Sequence, residues 1–263
     1  VRYSFTDWNM LKKTYNYVGL KNWKWLFTTL DTNGILNAFK VTIIYTLVHL
    51  ALVMVLGLLF ALLFNRKNKG FSFMRSVLFM PRYIAMSSVA IIFIWIFHES
   101  MGITNYLLQV LKLDTVAWFS TPIMALVTIC IVTTWKALGY DMMIFLSAMQ
   151  GISKDYYEAA SIDGANRLVM FRRITLPLLA PATAFLFVTQ FIGSMKIFSI
   201  VDVMTSGGPN EGTAVVVYKL YDLIFNKYRI DRAATVAIVF FIFLMIVTAL
   251  TMRWSNRKVN YDA

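Results

Sequence analysis

Long apolar runs separated by short polar stretches set the pattern of this chain. Residues 41–64, 115–135, 174–195 and 233–252 contain no Asp, Glu, Lys or Arg, and 76–97 contains only Arg82. Each approaches the ~20 residues that cross a hydrocarbon core as a helix. The pattern therefore predicts spans over about 39–64, 76–97, 120–148, 176–203 and 232–253. The fold class expected is an all-α polytopic membrane helix bundle, one transmembrane domain over 1–263. The opening stretch is polar and aromatic, and Trp8, Trp23 and Trp25 suit a segment at the membrane surface. Because the sequence starts without Met, a sixth, N-terminal span is expected to precede Val1.

Composition agrees with a membrane location: 59% of residues are hydrophobic and 14% charged, against about 45–50% and 25% for a soluble domain. A net charge of +12 would suggest nucleic acid in a soluble protein; here it is explained by orientation, and no nucleic-acid partner is expected. With the C-terminus cytoplasmic, the inside segments 65–75, 153–173 and 253–263 hold 11 Lys/Arg in 43 residues, and the outside segments hold 11 in 93. Cell-membrane localisation with a cytoplasmic C-terminus follows. The single cysteine, Cys130, lies within a span, so no intrachain disulfide is expected. No G-x-x-x-x-G-K-[ST] loop is present to cradle a nucleotide phosphate. His49 and His98 are the two histidines, and no zinc or other metal site is expected.

The polar stretch between the third and fourth runs, EAASIDGANRLVMFRRITLP, is more elaborate than a chain reversal requires. Asp155 followed by Glu158 reads as a capping pair that starts a helix near Tyr156. Ala159, Ala160 and Ile162 give it a face that another surface can approach closely, and Asp163-Gly164 makes a corner. A second helix runs from about Asn166 to Arg172 and Arg173, whose cations complement its C-terminal dipole, and Pro177 marks entry to the next span. The object expected over 153–173 is an L of two short cytoplasmic helices. The residues alone suit two roles equally: a lever for a partner protein, or an interfacial helix resting among headgroups through Leu168, Val169, Met170 and Phe171.

The segment EAASIDGANRLVMFRRITLPLLAP resembles the EAA loop of permease subunits in binding-protein-dependent ABC importers, with Glu158, Ala159, Ala160, Gly164 and Leu176-Pro177 in the family's positions. YSFTDWN (3–9), TWKALGYDMMIFLSAMQGI (134–152) and MTSGGP (204–209) resemble further segments of the carbohydrate-uptake group, of the maltose, glycerol-phosphate and oligosaccharide type. The resemblance implies a subunit with no catalytic residues and no cofactor of its own. ATP and Mg belong to an ATPase dimer, a second permease completes a heterodimer, an extracytoplasmic solute-binding protein delivers a sugar, and lipid surrounds the spans. It implies that Glu158, Ala159, Ala160, Asp163 and Gly164 couple to the ATPase.

The resemblance also places a carbohydrate path on two spans, at Trp135, Leu138, Gly139 and Met142 and at Gln190, Gly193, Ser194 and Ile197. On helical spacing, Gln190, Ser194 and Ile197 share one face, and Trp135 offers an aromatic plane beside Gly139. Both stripes also suit helix packing, since Ser, Gly and Gln join helices in lipid. Lys136, Asp141 and Lys196 could contact an acidic substrate, pair with each other, or snorkel to the interface. A secondary transporter or channel working without ATPase subunits is the rival reading, but it leaves the L-shaped loop without a purpose and would show broken helices in both halves and an internal repeat, neither of which the sequence signals. A membrane enzyme needs a clustered acid, base or metal set that Lys136, Asp141 and His49 do not form.

Overall fold

The computed structural model describes residues 1–30, 34–66 and 68–258. Lys67 of the basic turn and the end of the basic tail, 259–263, fall outside the described residues. The regular elements are helical: α1 (Lys21–Thr28), α2 (Ile35–Leu63), α3 (Lys69–Tyr83), α4 (Met86–Ile96), α5 (Ile103–Val110), α6 (Pro122–Gln150), α7 (Lys154–Ile162), α8 (Arg167–Leu178), α9 (Ala180–Met195), α10 (Ser199–Thr205), α11 (Val216–Tyr221) and α12 (Ile230–Lys258). Among the described residues three helices are long and apolar enough to cross a membrane: α2, α6 and the Ile230–Thr251 part of α12. Counting α3 with α4 and α8 with α9 as interrupted spans brings the number to five. The all-α, multi-pass architecture expected from the apolar runs is present.

Two runs are not the continuous helices that their composition suggests. In the second, Pro81 sits in a 3-10 turn, Met80–Tyr83, and Ile84 and Ala85 are extended before α4 begins. Proline removes a backbone donor and strands carbonyls near the break. Lys136 answers this directly: its Nζ donates to the carbonyls of Pro81 (3.0 Å), Arg82 (3.1 Å) and Ile84 (2.5 Å). The fourth run is divided too. α8 carries a π-helical segment, Phe171–Thr175, where the Leu176 N–H reaches the Phe171 carbonyl, and a 61° bend then separates α8 from α9. Pro177 and Pro181 flank that bend and deprive it of two ladder donors, a recognised cause of kinks. α9 stops at Met195, short of the expected 203, and α10 follows a break at 196–198.

The chain divides into two compact units. Unit 1 comprises Val1–Leu47, Ala85–Val132 and Gly193–Val247; unit 2 comprises Val48–Ile84, Thr133–Ile192 and the chain from Thr248.

In unit 1 the aromatic N-terminal segment is fastened rather than loose. Asn22, buried on α1, donates to the carbonyls of Ser4 and Thr6 at 3.0 and 2.7 Å. The Trp8 carbonyl accepts from Asp231 N–H at the start of α12. α10 packs on α4, and the Thr42 hydroxyl of α2 accepts from the Val216 N–H of α11 at 2.9 Å. The connection 98–120 is organised around buried Asn105 on α5. Its amide donates to the carbonyls of Glu99 (2.8 Å) and Val116 (2.9 Å), and its oxygen accepts from Val116 N–H and the Trp118 indole. Replacing Asn105 by Leu removes all four bonds, each worth about 0.5–1.5 kcal/mol net with part-buried partners. The expected outcome is a fall of several degrees in the thermal midpoint of the detergent-solubilised protein, which a thermal-shift assay reads.

Unit 2 centres on an apolar cluster in which Ala61 and Phe64 of α2 meet Met142, Phe145, Leu146 and Met149 of α6, with Leu179 and Leu186 closing it. Two glycines set the helix separations. A Cβ on Gly139 would lie 2.6 Å from the Phe79 Cα and closer still to the Leu78 carbonyl, and one on Gly57 would lie 2.9 Å from the Asp141 Cβ. No side chain fits at either point without backbone movement.

Candidate functional site

The stretch after α6 folds into a bent pair of helices whose geometry is fixed by its own backbone. Ser153 is the N-cap of α7, its hydroxyl accepting from Asp155 N–H at 3.3 Å. The expected Asp155–Glu158 capping pair is therefore not formed: the serine reaches the free donors first, and Asp155 lies inside the first turn, where its charge complements the helix dipole. At the other end Ala165 N–H reaches the Ala160 carbonyl (2.9 Å) and Gly164 N–H reaches Ser161 (3.1 Å), with Gly164 at φ +77°. This is a Schellman closure, and it requires a left-handed residue at position 164. Asn166 then caps α8, its side chain accepting from Val169 N–H at 3.0 Å. The corner over Asp163–Asn166 is thus locked by three local hydrogen bonds.

The second arm does not end at Arg172 and Arg173 as expected; it continues through the π-helical segment to Leu178. The π turn keeps the chain helical past the two arginines, so the corner and the bend into α9 are joined by one continuous rod. Tyr157 ties the arms together, its hydroxyl 2.9 Å from that of Thr175. None of the α7 residues is buried. Glu158, Ala159, Asp163 and Gly164 are exposed, Ala160 is half-buried, and Ile162 stands out with 86% of its surface accessible. A Cβ at Gly164 would meet nothing within 4 Å, so within this chain the glycine is required by its backbone angle and not by space. The elbow is a rigid, pre-shaped object that shows an acidic residue, small residues and isolated apolar side chains outward.

Of the candidate path residues, those on α6 and Gln190 and Ser194 on α9 keep their helical spacing, and Ile197 does not. On α6, Trp135 is partly exposed, but Leu138 and Met142 are buried and the face of Gly139 is filled by the Leu78–Phe79 backbone. On α9, Gln190 and Ser194 are buried and Gly193 is exposed. Ile197 lies beyond the end of α9 and so leaves the i, i+7 register; Lys196 and Ile197 N–H groups turn back to Gly193 and Ser194.

Within unit 2 the structure brings together a pair that the sequence reading kept apart. Gln190 Nε2 donates to Asp141 Oδ1 between α9 and α6, and Asp141 is fully buried with Oδ2 lacking a hydrogen-bond partner. The signal was available: a carboxylate inside an apolar run needs a partner from another span, and Gln190 is the amide on the next one. Lys136 is likewise committed, to the carbonyls of the broken α3, while Lys196 is exposed. A double-mutant cycle with Asp141→Leu and Gln190→Leu is expected to return a coupling of about 0.6–2 kcal/mol, the range for interhelical hydrogen bonds in lipid. Thermal unfolding in detergent checks it; strictly additive losses contradict the pair.

A polytopic helical chain with an exposed elbow before a broken span suits the transmembrane subunit class of importers, and comparison with known proteins places the chain in such a family. Residues 53–261 match the model of the family described as the binding-protein-dependent transport system inner membrane component, and the chain belongs to that family. It is 30% identical over 251 residues to the sn-glycerol-3-phosphate transport system permease protein UgpA of Agrobacterium fabrum, covering 94% of this chain and 83% of the relative. It is 29% identical over 255 residues to the multiple sugar-binding transport system permease protein MsmF of Streptococcus mutans, covering 97% and 87%. A solved bacterial ABC transporter involved in import of the acidic polysaccharide alginate contains a chain of the same fold, with a TM-score of 0.83 at 24% identity over 95% of this chain and 87% of that one.

Proposed function

We propose that the chain is one of two permeases of an ATP-driven importer for a sugar or oligosaccharide. The elbow at 153–178 serves as the lever that an ATPase dimer moves, and an extracytoplasmic binding protein supplies the substrate. The observation that carries this reading is the elbow itself: it is locked by its own caps, rooted through Tyr157 and Thr175, and exposed over α7. Force transmitted between two sites needs an element with a fixed shape that both can bias, and a helix that merely rested in headgroups would need no Schellman corner. Family membership and relatives named for sugar and glycerol-phosphate systems support the substrate class. In this orientation the elbow and the C-terminus are cytoplasmic, and ATP and Mg are held by the partner subunits.

Gln190, Gly193 and Ser194 of α9 and Trp135 of α6 remain the proposed contacts with sugar. Leu138, Gly139 and Met142 act there through packing, and Asp141 positions the Gln190 amide. Purification from native membranes tests the assembly. The expected result is co-elution with an ATPase pair and a second permease; a chain that transports solute while isolated would support a secondary transporter instead.

A further inference from the structure

At the start of the last apolar helix, unit 1 contains a small pocket of about 100 Å³ lined by Trp25, Ile35, Lys219, Leu223, Lys227 and Arg232. Half of these residues are cations, and no carboxylate is among the described lining residues. The neighbouring charges are already engaged. Lys219 pairs with Glu211, Lys227 Nζ lies 2.9 Å from Asp222, and Arg229 makes a two-pronged bond to Asp231 at 2.9 and 2.6 Å. Arg232 differs from all of them. Its guanidinium lies over the Trp25 ring at 4.4 Å, and its buried Nε–H has no hydrogen-bond partner.

A guanidinium held face-on against an indole keeps its edge available, and that edge matches the oxygens of a phosphate. Leaving a buried charged donor unpaired is costly, and an anionic oxygen in the pocket would remove the cost. Lys227, whose side chain is 53% exposed and whose ammonium keeps further protons beyond its bond to Asp222, stands at the same pocket as a second donor. The depth is also informative. Arg232 lies in the first turn of the apolar segment Ile230–Thr251, and Trp25 belongs to a short helix that also carries Trp23, Lys21 and Lys24. Tryptophan and basic residues together mark the headgroup layer.

We propose that this pocket is a binding site for a phosphate group, supplied by the headgroup of an anionic phospholipid, with Arg232 as its principal ligand and Trp25 as the plate that orients it. The same chemistry would accept free phosphate, so the test separates the two. The full chain in detergent, within its assembled transporter, is titrated with phosphatidylglycerol, with phosphatidylcholine and with inorganic phosphate, and retained ligand is counted by native mass spectrometry. Phosphatidylglycerol is expected to bind more tightly than phosphatidylcholine, and Arg232→Gln is expected to weaken it about tenfold. Lys227→Gln, at an exposed side chain, is expected to weaken it less and serves if Arg232→Gln does not accumulate. Arg232-dependent binding of inorganic phosphate without phosphatidylglycerol binding would overturn the lipid source. Phosphatidylglycerol retention unchanged in both variants would overturn the site.

Discussion

Reversing the charge at Glu158 is expected to reduce ATP-dependent uptake by more than tenfold while the chain remains folded in the membrane. Glu158 is exposed and its carboxylate accepts no hydrogen bond from a described residue; only its backbone carbonyl does, from Ser161. Surface substitutions of this kind usually change stability by no more than about 0.5 kcal/mol, so a large loss of transport must arise at a partner. Truncating one member of a buried interfacial charge pair costs about 2–5 kcal/mol, and each 1.4 kcal/mol is about tenfold. Uptake by Glu158→Lys, measured with radiolabelled sugar in vesicles beside immunodetection of the chain, decides it; normal uptake rejects the docking role. Gly164 separates shape from space. Gly164→Val places a β-branched residue at φ +77°, where left-handed backbone costs about 1–2 kcal/mol, and should uncouple transport. Gly164→Asn tolerates that angle and should retain activity if only the corner matters.

The second large effect is expected at Gly139. A valine there would drive its Cβ into the Leu78 carbonyl and the Phe79 backbone. Overpacking costs about 1–3 kcal/mol or more when backbone must move, and here the backbone belongs to α3 just before its Pro81 break, already held by Lys136. Gly139→Val should therefore fail to accumulate as folded protein, assayed by size-exclusion of the solubilised chain. A well-folded Gly139→Val with an altered range of transported sugars would instead place this glycine on the path.

Apolar runs revealed the spans because a ~20-residue charge-free segment has few alternatives in lipid. The elbow's corner is legible at Asp163-Gly164 because a positive φ demands a special residue, and the second arm starts at the expected Asn166, where the side chain accepts from the Val169 N–H. At the first cap Ser153 and Asp155 are both good acceptors, and sequence does not say which one the chain reaches first. The breaks at Ile84–Ala85 and near Leu179 were signalled by Pro81, Pro177 and Pro181, but hydropathy averages over proline. Burial of Met142 and the Asp141–Gln190 bond depend on which helices meet, information that periodicity along one span does not hold. Ile197 shares the face of Gln190 and Ser194 only if α9 runs past Met195, and the break at 196–198 removes it.

Site-directed cross-linking decides whether the elbow after α6 is the cytoplasmic lever of an ATPase-driven permease. With Cys130 replaced by Ser and a cysteine placed at Ala159, a short thiol cross-linker is added to the assembled transporter in sealed vesicles of each orientation. The predicted result is a covalent product between this chain and the ATPase subunit, with Ala159→Cys protected from membrane-impermeant reagents on the exterior side. Labelling of that cysteine from the exterior, or cross-linking only to lipid, would contradict the account.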